Sequence, residues 1–537
     1  MRAIASDDRR VTIEGDRLHP ANAGDLCDRV SALEDMASLD GRLLHPLVNG
    51  RRMDWDRTIA RIARQLTGVL ARHGPGSVAL HVGGGLLTED YYVANKLLKG
   101  FLGSAHIHGP WSGTAGAAQR SAFGEDVMPA AFEDVDRADT ILLTGAEIID
   151  AHPVLFERVM TARADRGARV ILLGAAEGVD GVEADLCLPI LPGSAPLLIA
   201  GLLRHCHDNG ATDADWLARH VDVPSGFWEG LARARDVWSV ARGCGIAPGA
   251  IRDFYDAVTG CDRLVTLFGP GAALGAAVIN LHLATGRIGR PGAAPFALSV
   301  AANGMGAREV GCIATDLAAH RAFTPDALAS VGRFWGARHL ADGPGLAGEA
   351  LLQAMRKGQV RALWSIGGAA DDWLDAARAA VPFSIRATDR ADAQDQGWSV
   401  LLPSAAWVEK DGTLTGMDRL ISRQRRLFPL PGDARPDWWM LTRVGQAMGW
   451  RDAFHYEHAA DVYREHVRLT AYHNDGARLL NLKRHAPISN PAYAELTPWR
   501  WGETPFDEGS FPTPDGRARL VPMPDEMDDQ AGGVAIP

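Results

Sequence analysis

Apolar residues recur at helical spacing across Trp55–His73, where Ile59, Ile62, Leu66, Val69 and Leu70 share one face. The spacing predicts an amphipathic helix. Ser77–Val82 is instead a short apolar run that ends in Gly83-Gly84-Gly85, and Tyr91–Leu102 returns to helical spacing. Thr140–Thr144 and Arg169–Leu173 read as buried strands, with a helix over His152–Arg166 between them. Strand, helix, strand at this separation is the parallel βαβ unit. The pattern returns in the strand-like run Arg263–Phe268 followed by a helix over Ala272–Ala284. Arg361–Ile366, Phe383–Ala387 and Trp398–Leu402 are further strands, separated by helical pieces.

These elements predict an α/β protein with two parallel-sheet, Rossmann-like regions, one over 51–190 joined by 400–537 and one over 260–400. A helical segment spans 191–259, and residues 1–50 are polar and turn-rich. No fixed-period repeat is present. The 537 residues carry a net charge of -11, which argues against nucleic acid as a partner. No stretch is long and apolar enough to span a membrane. The N-terminus lacks the apolar core of a secretory signal, so a cytoplasmic protein is expected. Six cysteines, none in Cys-x-x-Cys spacing, make no disulfide framework.

Residue chemistry alone names no reaction. Gly269-Pro270-Gly271 follows a strand and opens a helix, as a phosphate-binding loop would, but the glycine spacing is off by one and no acidic residue follows at the expected distance. Gly83–Gly85 stands at a strand end, where backbone amides can approach a phosphate or merely form a flexible turn. His205-Cys206-His207 are adjacent on a helix and face different ways. His455, His458 and His466 read as a solvated helix face. Arg423, Arg425 and Arg426 form a basic cluster able to grip an anion or to lie on the surface.

Longer stretches carry a resemblance. Gly15-Asp16-x-x-His19-Pro20-Ala21-Asn22 leading to Cys27, Leu87-Thr88-Glu89-Asp90-Tyr91-Tyr92, Phe123-Gly124-Glu125-Asp126, Met305-Gly306-x-Arg308-Glu309, Glu409-Lys410-Asp411-Gly412-Thr413 and Arg435-Pro436-Asp437-Trp438-Trp439 occur in order along nearly the whole chain. They resemble the molybdopterin oxidoreductases, and among them the catalytic subunit of assimilatory nitrate reductase. The resemblance implies a multi-domain α/β fold, a 4Fe-4S cluster on four cysteines, a molybdenum ligand, and pterin dinucleotides held at strand ends.

Position by position, the implied cofactor residues are changed. Only Cys27 matches a cluster cysteine, so residues 1–50 read as the remnant of an iron–sulfur region. Trp111 falls where the metal-ligating Cys is expected, and an indole donates only N–H. Glu147 replaces a phosphate-bonding Asn, Gly174 stands where an Asp-Pro-Arg begins, and the loop at Gly269 and Gly271 is shortened. The family's C-terminal pterin-binding domain would follow residue 520. The expectation is therefore a degenerate, non-catalytic structural or regulatory subunit that binds no cofactor and retains no metal site. A protein partner, or the chain's own tail with Trp499, Trp501 and Phe506, would occupy the former cofactor crevice. Glu89, Asp90, Arg308 and Glu309 would line the site or serve the scaffold. The alternative is a molybdenum-dependent nitrate reductase subunit completed by partner chains, using molybdopterin guanine dinucleotide and a 4Fe-4S cluster.

Overall fold

The computed structural model describes residues 1–523, apart from 7, 111–115, 232–233, 235, 370, 392–394 and 396. The first long helix, Trp55–His73, has the predicted bounds. Asp54 starts it by accepting the Arg57 amide at 2.9 Å, and Gly74 at φ +81° ends it. The predicted helix over Tyr91–Leu102 is observed as an α-helix over Thr88–Asn95 that widens into a π-helical stretch, Lys96–Leu102.

Two sheets form the centre. The larger has seven strands in the order Arg51–Arg52, Leu47–Val48, Val400–Pro403, Phe383–Thr388, Ala362–Ile366, Val78–Val82 and Ile107–His108. Its last five strands are parallel. The smaller is wholly parallel, in the order Ala294–Ala297, Leu264–Phe268, Thr140–Leu143, Arg169–Gly174 and Leu186–Pro189. Central strands such as Val78–Val82 and Leu264–Phe268 are buried throughout, because helices cover both faces, and so they read as continuous apolar runs.

The larger sheet draws its strands from 47–108 and 362–403, and the smaller is built from the stretch between them, 140–297. Val78–Val82 pairs with Ala362–Ile366, whereas Thr140–Leu143 pairs with Leu264–Phe268. The strands of 51–190 are thus shared between the sheets, since each parallel strand must lie beside a partner that a crossover can reach. The segment 191–259 is mostly helical and includes Ala195–Asp208 and Pro248–Thr259. Residues 1–50 are anchored to the larger sheet's side, where Arg9 and Arg42 both bind the buried Glu409 carboxylate. After residue 450 a helix, Ala459–Ala471, packs against Thr88–Asn95. Among the described residues no helix is long and apolar enough to cross a membrane.

Candidate functional site: a crevice between two sheets

Both sheets reverse their strand order once. The reversal lies between Val78–Val82 and Ala362–Ile366 in the larger sheet, and between Thr140–Leu143 and Leu264–Phe268 in the smaller. Ligands of open parallel sheets bind outside the carboxyl ends of strands at such switch points. Here the larger sheet's switch point meets the loop that follows the smaller sheet's edge strand. The loop after Ala294–Ala297 brings Ala301 to 3.0 Å from where a Cβ on Gly84 would stand, and the Asn303 amide donates to the Gly84 carbonyl at 3.4 Å.

At the larger sheet's switch point, a Cβ on Gly83 would lie 2.4 Å from the Gly368 amide nitrogen, so glycine lets the two strand-end loops touch. Gly85 is exposed, with open space where a side chain would project. Beneath the loops, His81 Nδ1 lies 2.9 Å from Ser365 Oγ. Burial pushes His81 down to about 3, with the neighbouring His108 and Arg386 adding to it. The His108 ring lies tilted against that of Trp373, with centroids 3.9 Å apart, and burial pushes it down to about 4. Both imidazoles are neutral at pH 7.

The smaller sheet's switch point is acidic. Glu147 is exposed, and its carboxylate stands 2.1 Å from a notional Cβ on Gly145 and 3.7 Å from one on Gly269. It therefore bridges the mouth between the two loops. Gly271, at φ +145°, turns the chain into the helix Ala272–Ala284. Gly174 is walled by Val179 and Ala146, at 3.0 and 3.2 Å from a notional Cβ. An acidic bridge and apolar walls do not complement a phosphate. Cys27 is half-buried, and its neighbour Arg29 donates to the Asp150 carbonyl at 2.8 Å, which sets this segment beside the Glu147–Ala151 helix. Trp111 lies outside the described residues.

All six cysteines are free thiols, and among the described residues no group of three or more His, Cys, Asp or Glu side chains is placed to hold a metal.

The polar residues of the retained motifs serve the scaffold. Glu89 accepts from the Thr413 amide and hydroxyl and from the Tyr493 hydroxyl, at 2.8, 2.9 and 2.6 Å. Asp90 accepts from the Leu87 and Trp438 amides at the start of two helices. Arg308 binds Asp126 at 2.6 Å. Glu309 accepts from the Thr415 hydroxyl and the Trp501 indole. Arg423, one of the three arginines in the basic cluster, binds Asp411 and lies over the Tyr493 ring.

The described tail is folded into the body and leaves the mouth of the crevice open. Trp499–Arg500 pairs with the strand Leu420–Gln424, Trp501 is fully buried, and Phe506 packs on Phe123 at 4.9 Å. Gly85, Pro110, Glu147, Pro270 and Ala272 remain exposed, and Val300 is 60% exposed.

Two histidines gain prominence that sequence reading did not give them. His320 is buried against Glu125 at 2.8 Å. His466, read as solvated, is buried with neither ring nitrogen hydrogen-bonded. The signal for His466 was available, because Ala459, Val462, Tyr463, Val467 and Thr470 place it on the apolar face of its helix. His320 lies in irregular chain with no periodicity to read.

Comparison with known proteins agrees with this architecture. Residues 42–447 match the family model described as Molybdopterin oxidoreductase. A nitrate reductase of Klebsiella oxytoca is 38% identical over 96% of this chain and 61% of its own length. One from Shewanella frigidimarina is 33% identical over 95% of this chain and 58% of its own. The chain thus spans about three fifths of the length of these relatives. Acetylene hydratase from Pelobacter acetylenicus has a similar fold, with a TM-score of 0.72 over 97% of this chain and 75% of that one, at 16% identity. These matches overturn the expectation that no cofactor is used. The family and the nitrate reductase relatives point to a molybdenum cofactor, and changed loops in one chain do not cancel that relation.

Proposed function

The chain belongs to the molybdopterin oxidoreductase family, and from that membership we propose that it is the two-sheet portion of a nitrate-reducing enzyme whose metal ligands come from a partner chain. The observation that carries the reading is the contact between strand-end loops of the two sheets, with Ala301 after the smaller sheet's edge strand seated on Gly84 at the larger sheet's switch point. The reaction assigned to the assembled enzyme is nitrate plus two electrons and two protons giving nitrite and water, the electrons coming from an external reductant. This chain's part is to shape the crevice. His81 and His108 bring no charge to it at pH 7, and the glycine loops let the two sheets approach closely. A partner that supplies ligands would seat on the exposed rim formed by Pro110, Pro270 and Val300.

The Glu147 carboxylate favours a second reading, a non-catalytic structural or regulatory subunit beside an active enzyme, because it repels anions at the smaller switch point. Copurification from a molybdenum-replete host, followed by metal analysis and nitrite formation with a reduced viologen, separates the two. Nitrite formation that depends on this chain supports the first. A complex that forms nitrite equally well without this chain refutes the first and leaves the second.

A further inference from the structure

The solvent face of the Trp55–His73 helix is built unlike its inner face. Thr58, Ile59, Ile62, Ala63, Leu66 and Val69 are buried against the body. Opposite them Arg57, Arg61, Arg64, Gly68 and Arg72 recur every three or four residues, which places them in one stripe about 22 Å long. Arg57, Arg64 and Arg72 are exposed, and Arg61 is half-buried. Among the described residues the stripe has one ion pair, a 3.4 Å contact between Arg57 and the helix-starting Asp54. Arg61, Arg64 and Arg72 have none, and the Arg61 Nε is buried without a hydrogen-bond partner. The helix packed alongside, Asp437–Ala447, carries one carboxylate, Asp437, which is buried on Lys410, whereas its Arg443 is exposed. Past the end of the stripe the Arg361 amide donates to the Ser77 carbonyl at 2.7 Å, which sets a further arginine without an ion-pair partner beside it.

Among the described residues nothing compensates for this arrangement. Like charges three and four residues apart weaken a helix, and a glycine in its interior weakens it further. Packing does not require Gly68, because the Arg72 guanidinium, at 3.6 Å, is the one group within 4 Å of a notional Cβ. The whole chain carries a net charge of -11, so the stripe is a positive strip on a negative molecule. A lipid surface would call for bulky apolar residues among the cations, and the exposed positions there are Ala60, Thr67 and Ala71. Nucleic acid is at odds with the net charge. A helix whose carboxylates recur every three or four residues matches the stripe in spacing and in sign, and the missing side chain at Gly68 leaves it room to approach. We propose that this face docks an acidic helix of a partner protein, whose carboxylates meet Arg57, Arg61, Arg64 and Arg72. The Arg72 end of the stripe lies by the amino end of Val78–Val82, away from the carboxyl ends that frame the crevice. The docked protein therefore leaves the crevice open, and the inference stands apart from the nitrate-reducing reading.

The test measures binding to the full chain at low ionic strength. The probes are a helical peptide with glutamates every three to four residues on one face, a scrambled peptide of the same composition, vesicles of equal parts phosphatidylcholine and phosphatidylglycerol, and duplex DNA. The patterned peptide is expected to bind at least tenfold more tightly than the scrambled one, and Arg57→Gln combined with Arg64→Gln to remove that difference. Arg64→Glu is expected to abolish peptide binding and yet to raise the thermal midpoint of the chain, because it turns a like-charge contact with Arg61 into an attractive one. Equal binding of the two peptides, or tighter binding of vesicles or DNA, overturns the proposal. So does self-association of the chain that Arg64→Glu abolishes, since the occupant is then a second copy. A lowered midpoint in a folded Arg64→Glu chain overturns it as well, because Arg64 then serves the fold. Should the double variant fail to fold, Arg64→Gln alone is read in the same way.

Discussion

Lys410 is the residue whose loss should be felt most sharply. Its ammonium is buried 2.7 Å from Asp437 and 3.8 Å from Asp90, where the loop after residue 400 meets the helices Thr88–Asn95 and Asp437–Ala447. At an effective dielectric of about 20 these separations correspond to gross attractions of about 6 and 4 kcal/mol. Desolvation offsets several kcal/mol per ion, so the pair contributes little net. Removing one partner, however, strands the others, at about 3–5 kcal/mol. Lys410→Met is therefore expected to cost about 3–5 kcal/mol in urea unfolding at pH 8. The loss should shrink on acidification. Burial raises Asp90 to about 6 against the pull of Lys410. A carboxyl whose folded value lies above its unfolded one binds more protons when folded, so its penalty is absent at low pH and grows as pH rises through the folded value. Without Lys410 that value rises further, and the variant should recover stability between pH 8 and pH 5 relative to the unmodified chain. Lys410→Met with Asp437→Asn should restore part of the loss through coupling. A single-variant cost below about 1 kcal/mol, or one independent of pH, would refute the reasoning.

Three further outcomes are expected. Lys99→Met should cost about 3 kcal/mol or more in the same assay, because the buried ammonium serves the carbonyls of Gly311, Ile313 and Asp316, and each unmet acceptor costs about 1–3 kcal/mol. Gly124→Ala should destabilise by about 1–3 kcal/mol and loosen the tail to proteolysis, since the residue sits at φ +83° and a Cβ would meet the Pro512 carbonyl oxygen at 2.3 Å. Glu147→Lys should strengthen binding of pyrophosphate, measured by calorimetry, by about tenfold, as a repulsive charge at the switch point becomes attractive; no change would remove Glu147 from any account of the crevice.

Strands and helices were legible where burial imposes a clean period. The bounds of Trp55–His73 and Ala272–Ala284 follow directly from their spacing. Strand partners were less legible, because the pattern of Val78–Val82 says that it is buried on both faces but not that Ala362–Ile366 lies beside it. The glycine loops were flagged correctly as strand ends, while the seating of Ala301 on Gly84 depends on tertiary packing. Glu89 and Glu309 illustrate the same limit, since a buried carboxylate in a helix is read as site or scaffold only once Thr413, Thr415 and Trp501 are seen against it. The inference from changed loops to absent cofactor failed for a different reason. Loop residues report what one chain contributes to a site, not what an assembly holds.

The division of the larger sheet between two distant stretches of chain bears on how the protein is made. Val78–Val82 leaves the ribosome long before Ala362–Ile366, and Thr140–Leu143 before Leu264–Phe268. During synthesis the apolar edge of the larger sheet waits unpaired through the whole interval that produces the smaller one. Non-local parallel pairing of this kind folds slowly and exposes strand edges to aggregation. The larger sheet cannot be excised as a continuous fragment without the smaller one, whose strands all lie within 140–297, and a product halted before residue 360 would lack the strand that closes Val78–Val82. Soluble expression should therefore depend on slow translation or chaperone supply more than on the stability of the finished fold.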